Sequence, residues 1–306
     1  MRKLLLKSVL SPGDAVVMTA AIESLHSTYP GEFQTGVSTS AMEIWENNPN
    51  ICSSSDAEEI ELQYNLIHQS NQWANSFMQA YVEGLSRVIQ RPLQLATNRP
   101  HLYVIEEEKG WMDQIQQYFT HGKKVPFWII NTGVKKDYTT KQWPVEHYQK
   151  VVDQTAGMIQ WVQIGANEHE HFPLAGVIHL EGKTSHRELI RLAYHCKGGL
   201  GPSTYLQHLC AAFEKPYICI LGGREPVTWV TYPKQITLHT IGQLSCCKDG
   251  GCWRSRVVPL GDGDVKDQSL CDKPILGYIK SSPKCMTIIK PEEVVTILNR
   301  IHCEAL

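Results

Sequence analysis

Gly201-Pro202-Ser203-Thr204-Tyr205-Leu206-Gln207-His208-Leu209 follows a glycine-rich approach, Lys197-Gly198-Gly199-Leu200, and runs into a strongly helical segment. Gly and Pro end the preceding element, Ser203 or Thr204 can cap a helix, and Leu206, Leu209 and Phe213 recur at helical spacing. Free backbone N–H groups, two hydroxyls and the positive end of a helix dipole then converge at one point. Such a helix start is an anion site, and a diphosphate is its commonest biological tenant. Many helices begin this way, so the reading depends on what the rest of the chain places opposite it.

Outward from this stretch the chain alternates strand and helix. In the first third, strands are predicted at 4–9, 33–38 and 59–63. Helices are predicted at 15–29, with Val16, Ala20 and Leu25 on the buried side, at 41–47, and at 68–89 with Trp73, Phe77, Tyr81 and Leu85. Residues 99–106 read as strand-like and 111–119 as helical. His121-Gly122-Lys123-Lys124-Val125-Pro126 combines charge, Gly and Pro between structured runs and reads as an interdomain link. Beyond it, strands at 127–131, 159–164 and 217–221 alternate with helices at 145–155, 186–196 and 204–213. A last helix over 291–303 starts at Pro291, with Glu292 and Glu293 in its first turn and Val294, Leu298 and Ile301 on one face. Two βα series predict an α/β protein of two doubly wound parallel sheets, in domains 1–122 and 123–306. Ligand is expected in the crevice at the strands' C-terminal edges.

The bulk composition agrees. A chain of 306 residues holds two domains of ordinary size, and 42% hydrophobic with 20% charged residues is typical of a globular protein. With 29 basic against 31 acidic residues the net charge is −2, which argues against nucleic acid or an anionic membrane as partner. Met1-Arg2-Lys3-Leu4-Leu5-Leu6-Lys7 imitates a signal peptide, but Lys7 and then Ser11-Pro12-Gly13-Asp14 break its apolar run, so a buried first strand is expected. No transmembrane segment and a cytoplasmic location follow as expectations.

Two further loops could face the helix start at 203–204. Asp14 ends the loop after the first strand. It reads either as a helix cap or as a general base for an acceptor hydroxyl. Asn131-Thr132-Gly133 ends the first strand of the second series and precedes Lys135, Lys136 and Thr140-Lys141-Gln142-Trp143-Pro144. Small residues followed by lysines suit phosphate recognition. The plainer reading, a solvated basic loop, suits Lys135 and Lys136 better than Lys141, which is pinned beside Trp143-Pro144.

Of ten cysteines, five (Cys246, Cys247, Cys252, Cys271, Cys285) fall within the segment 246–285. Cys247-x4-Cys252-x18-Cys271-x13-Cys285 supplies four thiolates suited to tetrahedral zinc or iron, with Cys246 a rival first ligand. Four protein ligands leave no open position, so the knot is expected to be structural and to anchor the terminal helix.

Three features together resemble glycosyltransferase family 9, the ADP-heptose heptosyltransferases that build lipopolysaccharide core. They are Gly13-Asp14 followed by VVMTAAIESLHSTYPG at 16–31, Lys141-Gln142-Trp143-Pro144, and GPSTYLQHLCAAFEKP at 201–216. The resemblance implies the GT-B arrangement of two facing Rossmann-like domains, and sugar transfer with inversion that needs no divalent metal. It makes Asp14 the catalytic base and Lys141 the group that stabilises the departing diphosphate. The backbone of Gly201, Pro202, Ser203, Thr204, Tyr205 and Leu206 would hold that diphosphate, with Thr132 and Gly133 nearby. His208 matches a histidine of the family motif, although a lone helical His is as often a core residue. Ser203-Thr204-Tyr205 stands where heptosyltransferases carry Asp-Thr-Gly, which leaves the donor as ADP-heptose or a related nucleotide sugar.

The tail, CCKDGGCWRSR at 246–256 with Cys271 and Pro283-Lys284-Cys285-Met286, resembles that of the heptosyltransferases that modify autotransporter proteins, which bind iron through four cysteines. The chain is expected to begin directly at its first Rossmann strand, without the further N-terminal domain of those enzymes. The acceptor is then a glycan or a protein, and a homo-oligomer is compatible with the sequence. Two other readings stay open: a nucleotide-sugar hydrolase or epimerase on the same frame, and a zinc module for nucleic acid centred on the cysteines, Arg254 and Arg256.

Overall fold

A computed structural model describes residues 1–52, 56–64, 69–72, 74–169, 171–277 and 280–304. Strand β1 (Arg2–Ser8) alternates buried Leu4, Leu6 and Ser8 with half-exposed neighbours, the pattern of a strand covered on one face. It leads into α1 (Pro12–Thr28), then β2 (Phe33–Thr39) and β3 (Glu58–Glu61), and the three strands form a parallel sheet ordered β2-β1-β3. Helix α1 starts three residues before the predicted position, because Pro12 has the fixed φ that suits a first helical turn. Asp14 therefore lies inside the first turn, and Ser11 occupies the cap position. Ala15 through Ile22 are buried without a break, so α1 is covered on all sides.

The helix predicted over 41–47 is a single 3₁₀ turn, Met42–Trp45. Helix α2 (Phe77–Ile89) is shorter than predicted and begins where the Ser76 hydroxyl accepts from Gln79 N at 3.1 Å; His68 and Trp73 lie outside the described residues. The strand predicted over 99–106 does not form. That segment joins no ladder, and its polar groups go elsewhere: His101 N donates to Thr19 Oγ1 at 2.8 Å and Arg99 Nη1 to Ala212 O at 2.6 Å. The helix predicted over 111–119 is replaced by α3 (Glu106–Gly110) and α4 (Gln114–Tyr118), the second capped by Asp113, which accepts from Gln116 N at 2.7 Å.

The second series runs β4 (Phe127–Ile130), α5 (Val145–Gln154), β5 (Gln160–Gln163), β6 (Ile178–His179), α6 (His186–His195), β7 (Gly198–Pro202), α7 (Tyr205–Ala212), β8 (Tyr217–Gly222), α8 (Val227–Val230) and β9 (Gln235–His239). The strands form one parallel sheet ordered β6-β5-β4-β7-β8-β9. Order reverses between β4 and β7, which makes the crevice past their C-terminal ends the switch point where such sheets take ligands. The two outer strands, β6 and β9, escaped the sequence reading.

Strand β7 is the glycine-rich approach itself, which the sequence reading left as the end of some preceding element. Its glycines are there for space. A Cβ on Gly198 would stand 2.6 Å from the Trp128 ring, one on Gly199 2.8 Å from Tyr217, and one on Gly201 2.9 Å from Asn131 O. Pro202 is tolerated because it comes at the strand's end, beyond the last residue that β4 pairs.

The tail adds β10 (Pro274–Ile275), β11 (Ser282–Pro283), α9 (Lys284–Ile288) and α10 (Pro291–Glu304). Met286, Ile289, Val294 and Leu298 pack over Trp143, Tyr148 and Ile218, and the Trp143 indole donates to Ile289 O at 3.1 Å. Between the two sheets lies a continuous apolar seam. Phe77 stacks on Trp229 at 5.0 Å and meets His208 edge-on at 5.9 Å, while Tyr64 meets Phe77 at 4.7 Å.

Candidate functional site

The N-termini of α1 and α7 meet. A Cβ on Gly13 would lie 3.5 Å from Tyr205 Cα, an ordinary contact, and 3.3 Å from His208 Cδ2, a tight one, so the two helix starts pack directly on each other. Two positive dipole ends brought together favour an anion between them. Beside this junction Asp14 is half-buried, with one carboxylate oxygen accepting from the Tyr64 hydroxyl at 2.7 Å and the other from the Ser11 hydroxyl.

At the start of α7 the cap is Thr204, and its side chain makes no capping hydrogen bond. Its hydroxyl accepts instead from Asn131 Nδ2 at 3.1 Å. Gln207 N turns back to Thr204 O at 3.0 Å, while the N–H groups of Tyr205 and Leu206 have no side-chain cap, which leaves them for a ligand. The Asn131 carbonyl oxygen of the side chain accepts from Gly133 N at 3.1 Å, and Gln142 and Gln163 donate to Thr132 O and Thr132 Oγ1, each at 3.0 Å. This fixes the loop after β4 against the start of α7.

Lys141 ends the 3₁₀ turn Lys136–Lys141 and reaches the same point, its Nζ donating to Ser203 O at 2.9 Å and pairing with Glu225 Oε1 at 2.7 Å. Lys135 and Lys136 are exposed, as the plainer reading held. The turn is held from downstream: Thr140 Oγ1 donates to Arg254 O at 2.6 Å, and the fully buried Arg256 pairs with Asp137 at 2.9 Å, with Asp262 at 2.8 Å and with Asp267 at 2.5 Å.

Of the remaining expected residues, Pro202 and Leu206 are buried and contribute backbone only. Tyr205 meets His186 edge-on at 5.5 Å, and its buried hydroxyl has no partner among the described residues. His208 lies in the seam with Nδ1 at 2.8 Å from the Tyr232 hydroxyl. Burial, reinforced by the Lys141 charge, lowers its pKa to about 3, so it is a neutral imidazole. His171 fills the space between Gly133 and Gly165, where a Cβ would stand 2.1 and 1.9 Å from its ring.

Sequence reasoning missed Tyr64, Tyr232, Arg224 and Glu225. The last two follow Leu221-Gly222-Gly223 at the end of β8. They stand on the same sheet edge as Asn131 and Gly201, so the strand-end rule that singled those out would have found them.

The cysteine cluster lies behind this loop. Cys246, Cys247, Cys252, Cys271 and Cys285 line one cavity of about 10 Å³, which suits a single ion and no organic ligand. Burial and the neighbouring thiols raise the pKa of Cys246, Cys252 and Cys271, and that of Cys285 to about 12. The expected knot of Cys247, Cys252, Cys271 and Cys285 is thus gathered but not closed: among the described residues no three His, Cys, Asp or Glu side chains stand at metal-holding spacing. The thiol of Cys247 instead donates to Thr240 O and Leu244 O, each at 3.4 Å. As a donor set, five soft sulfurs around an ion-sized space fit iron or zinc.

The model of glycosyltransferase family 9 (heptosyltransferase) matches residues 40–252. The chain belongs to this family. It is a glycosyltransferase with the α/β fold and parallel sheets of GT-B heptosyltransferases. It is similar over 99% of its length to a family 9 glycosyl transferase from Veillonella parvula DSM 2008, at 15% identity, 98% coverage of that chain and a TM-score of 0.65. It is similar to E. coli ADP-heptose lps heptosyltransferase II, at 15% identity, 100% and 99% coverage and a TM-score of 0.64. A third likeness is to TibC from enterotoxigenic E. coli H10407, an iron-containing dodecameric glycosyltransferase, at 15% identity, 100% and 77% coverage and a TM-score of 0.62. No curated protein matches by sequence. Asp14 and two of the cluster cysteines, Cys271 and Cys285, lie outside the segment that matches the family. No helix among the described residues is long and apolar enough to cross a membrane.

Proposed function

We propose that the chain transfers heptose or a related sugar, with inversion, from an ADP-linked donor to a hydroxyl of a glycan or protein. The observation that carries this is the meeting of the α1 and α7 starts at Gly13, the residue before Asp14, with Lys141 reaching Ser203 O at the start of α7. Residues 1–122 would hold the acceptor and 123–306 the donor. Asp14 removes the acceptor proton as its oxygen attacks the anomeric carbon, and the bond from that carbon to the diphosphate oxygen breaks. The departing diphosphate takes the Lys141 ammonium and the first-turn N–H groups of α7, with Thr132 and Gly133 beside them. The neighbour with ADP-heptose in its site, TibC, supports the donor class.

A metal on Cys247, Cys252, Cys271 and Cys285 would supply structural cross-linking of the tail, with Cys246 facing the same cavity. Transfer itself needs no metal in this scheme.

The decisive experiment pairs a thermal-shift screen of nucleotide sugars with Asp14→Ala. ADP-heptose should raise the melting temperature of both proteins, and only the native chain should turn over. Turnover retained in Asp14→Ala removes Asp14 from the role of base.

A further inference from the structure

The cation expected to meet the diphosphate is already engaged by an anion of the chain itself. Glu225 is buried, its side chain 5% exposed, and it receives Lys141 Nζ at 2.7 Å. Arg224 Nη1 donates to the same carboxylate oxygen, and Ser203 adds a hydroxyl donor. Burial alone would push this carboxyl up. The charges of Lys141 and Arg224 and the hydrogen bonds outweigh that and hold it below the usual range, so it stays ionised.

Arg224 is itself fixed. Its Nε donates to Arg254 O at 2.8 Å, and its guanidinium lies 5.1 Å from the Tyr138 ring centre and 5.3 Å from that of Trp253. Rigid aromatics thus place Arg224, Arg224 places Glu225, and Glu225 with Ser203 O places the Lys141 ammonium at the start of α7. Two cations and one carboxylate leave the group with one net positive charge rather than two.

We propose that Glu225 is the positioning residue of the donor site. It holds Lys141 at the start of α7 before the donor arrives, then shares it with the diphosphate. Because Lys141 always has Glu225 to return to, the free nucleoside diphosphate product is held less tightly than a bare lysine would hold it. This rests on Lys141 meeting the diphosphate.

The test is a double-mutant cycle on ADP affinity by calorimetry, with Glu225→Gln, Lys141→Met and the double variant. Glu225→Gln should bind ADP about five-fold more tightly, since Lys141 then gives up no anionic partner when it meets the diphosphate. In the Lys141→Met background the same change should have no effect. Glu225→Asp, which keeps the charge, should restore affinity to near the native value, and it carries the comparison if Glu225→Gln does not fold. A purely structural glutamate would give weaker binding in every variant, in step with melting temperature. Unchanged or weaker ADP binding by a folded Glu225→Gln, or an equal effect with and without Lys141, overturns the proposal. If Lys141→Met alone binds ADP as the native chain does, the reading of Lys141 fails first and takes this one with it.

Discussion

Tyr64 donates its hydroxyl to Asp14 at 2.7 Å, linking the loops that follow two neighbouring strands of the first sheet, β3 and β1. Asp14 comes from the loop after β1, whereas Tyr64 follows β3 and packs on Phe77 and Trp229. The orientation of the candidate base is thus set by an aromatic residue that belongs to the seam. Tyr64→Phe keeps that packing and removes only the hydroxyl. Turnover should fall about ten-fold with donor affinity unchanged, as expected when a base loses its alignment. Equal turnover in steady-state assays would mean that the Ser11 hydroxyl orients Asp14 alone.

Acidification should destabilise the fold through His208. Its pKa is lowered from 6.5 to about 3 in the folded state by burial first and the Lys141 charge second. Between those values the unfolded chain binds the extra proton and the folded chain does not, so stability falls as pH drops below about 6.5, by up to about 1.4 kcal/mol per pH unit. His26, His101, His147, His169, His171 and His195 are lowered mainly by burial and act in the same direction. Urea melts from pH 7 to pH 5 should show the slope, and His208→Gln should flatten it.

Gly199→Ala places a methyl 2.8 Å from the Tyr217 ring and 3.2 Å from Cys210 Sγ in a central strand. Both neighbours are fully buried and cannot turn away, so the cost should be about 1–3 kcal/mol, read as a lowered melting temperature. A neutral result would show that the sheet there is looser than these distances.

Removing a thiol tests the cavity of cysteines. Cys252→Ser should lose bound iron or zinc by elemental analysis and lower the melting temperature by on the order of 5 °C. Cys303→Ser, exposed on the terminal helix, should change neither.

The parallel βα alternation was legible because its strands are short apolar runs and its helices carry Pro and acidic start signals. The start of α7, Lys141 and the loop at 131–133 were legible as pieces, and their convergence follows from the switch point. What failed has physical causes. Helix α1 reads as late because Pro12-Gly13 looks like a turn, while Pro is at home in a first helical turn. Strand β7 is not predicted as a strand because its glycines answer to Trp128 and Tyr217, which are distant in sequence. Glu225 stands at a strand end beside Arg224, where the strand-end rule points, but its burial is not legible because its other cation, Lys141, is distant in sequence.

The six-stranded sheet is complete at His239, and Ser203 and Glu225, which hold the Lys141 ammonium, precede that point, but the supports of its turn do not. Arg254 and Arg256 hold its turn, Trp253 and Arg254 hold Arg224, and Ile289 receives the indole of Trp143. During synthesis, which proceeds from the N-terminus, these contacts arrive last. A nascent chain stalled before the tail would own its strands but not the contacts that fix the Lys141 turn and Arg224. The order of synthesis thus leaves the support of the Lys141 turn until residues 253–289 have emerged.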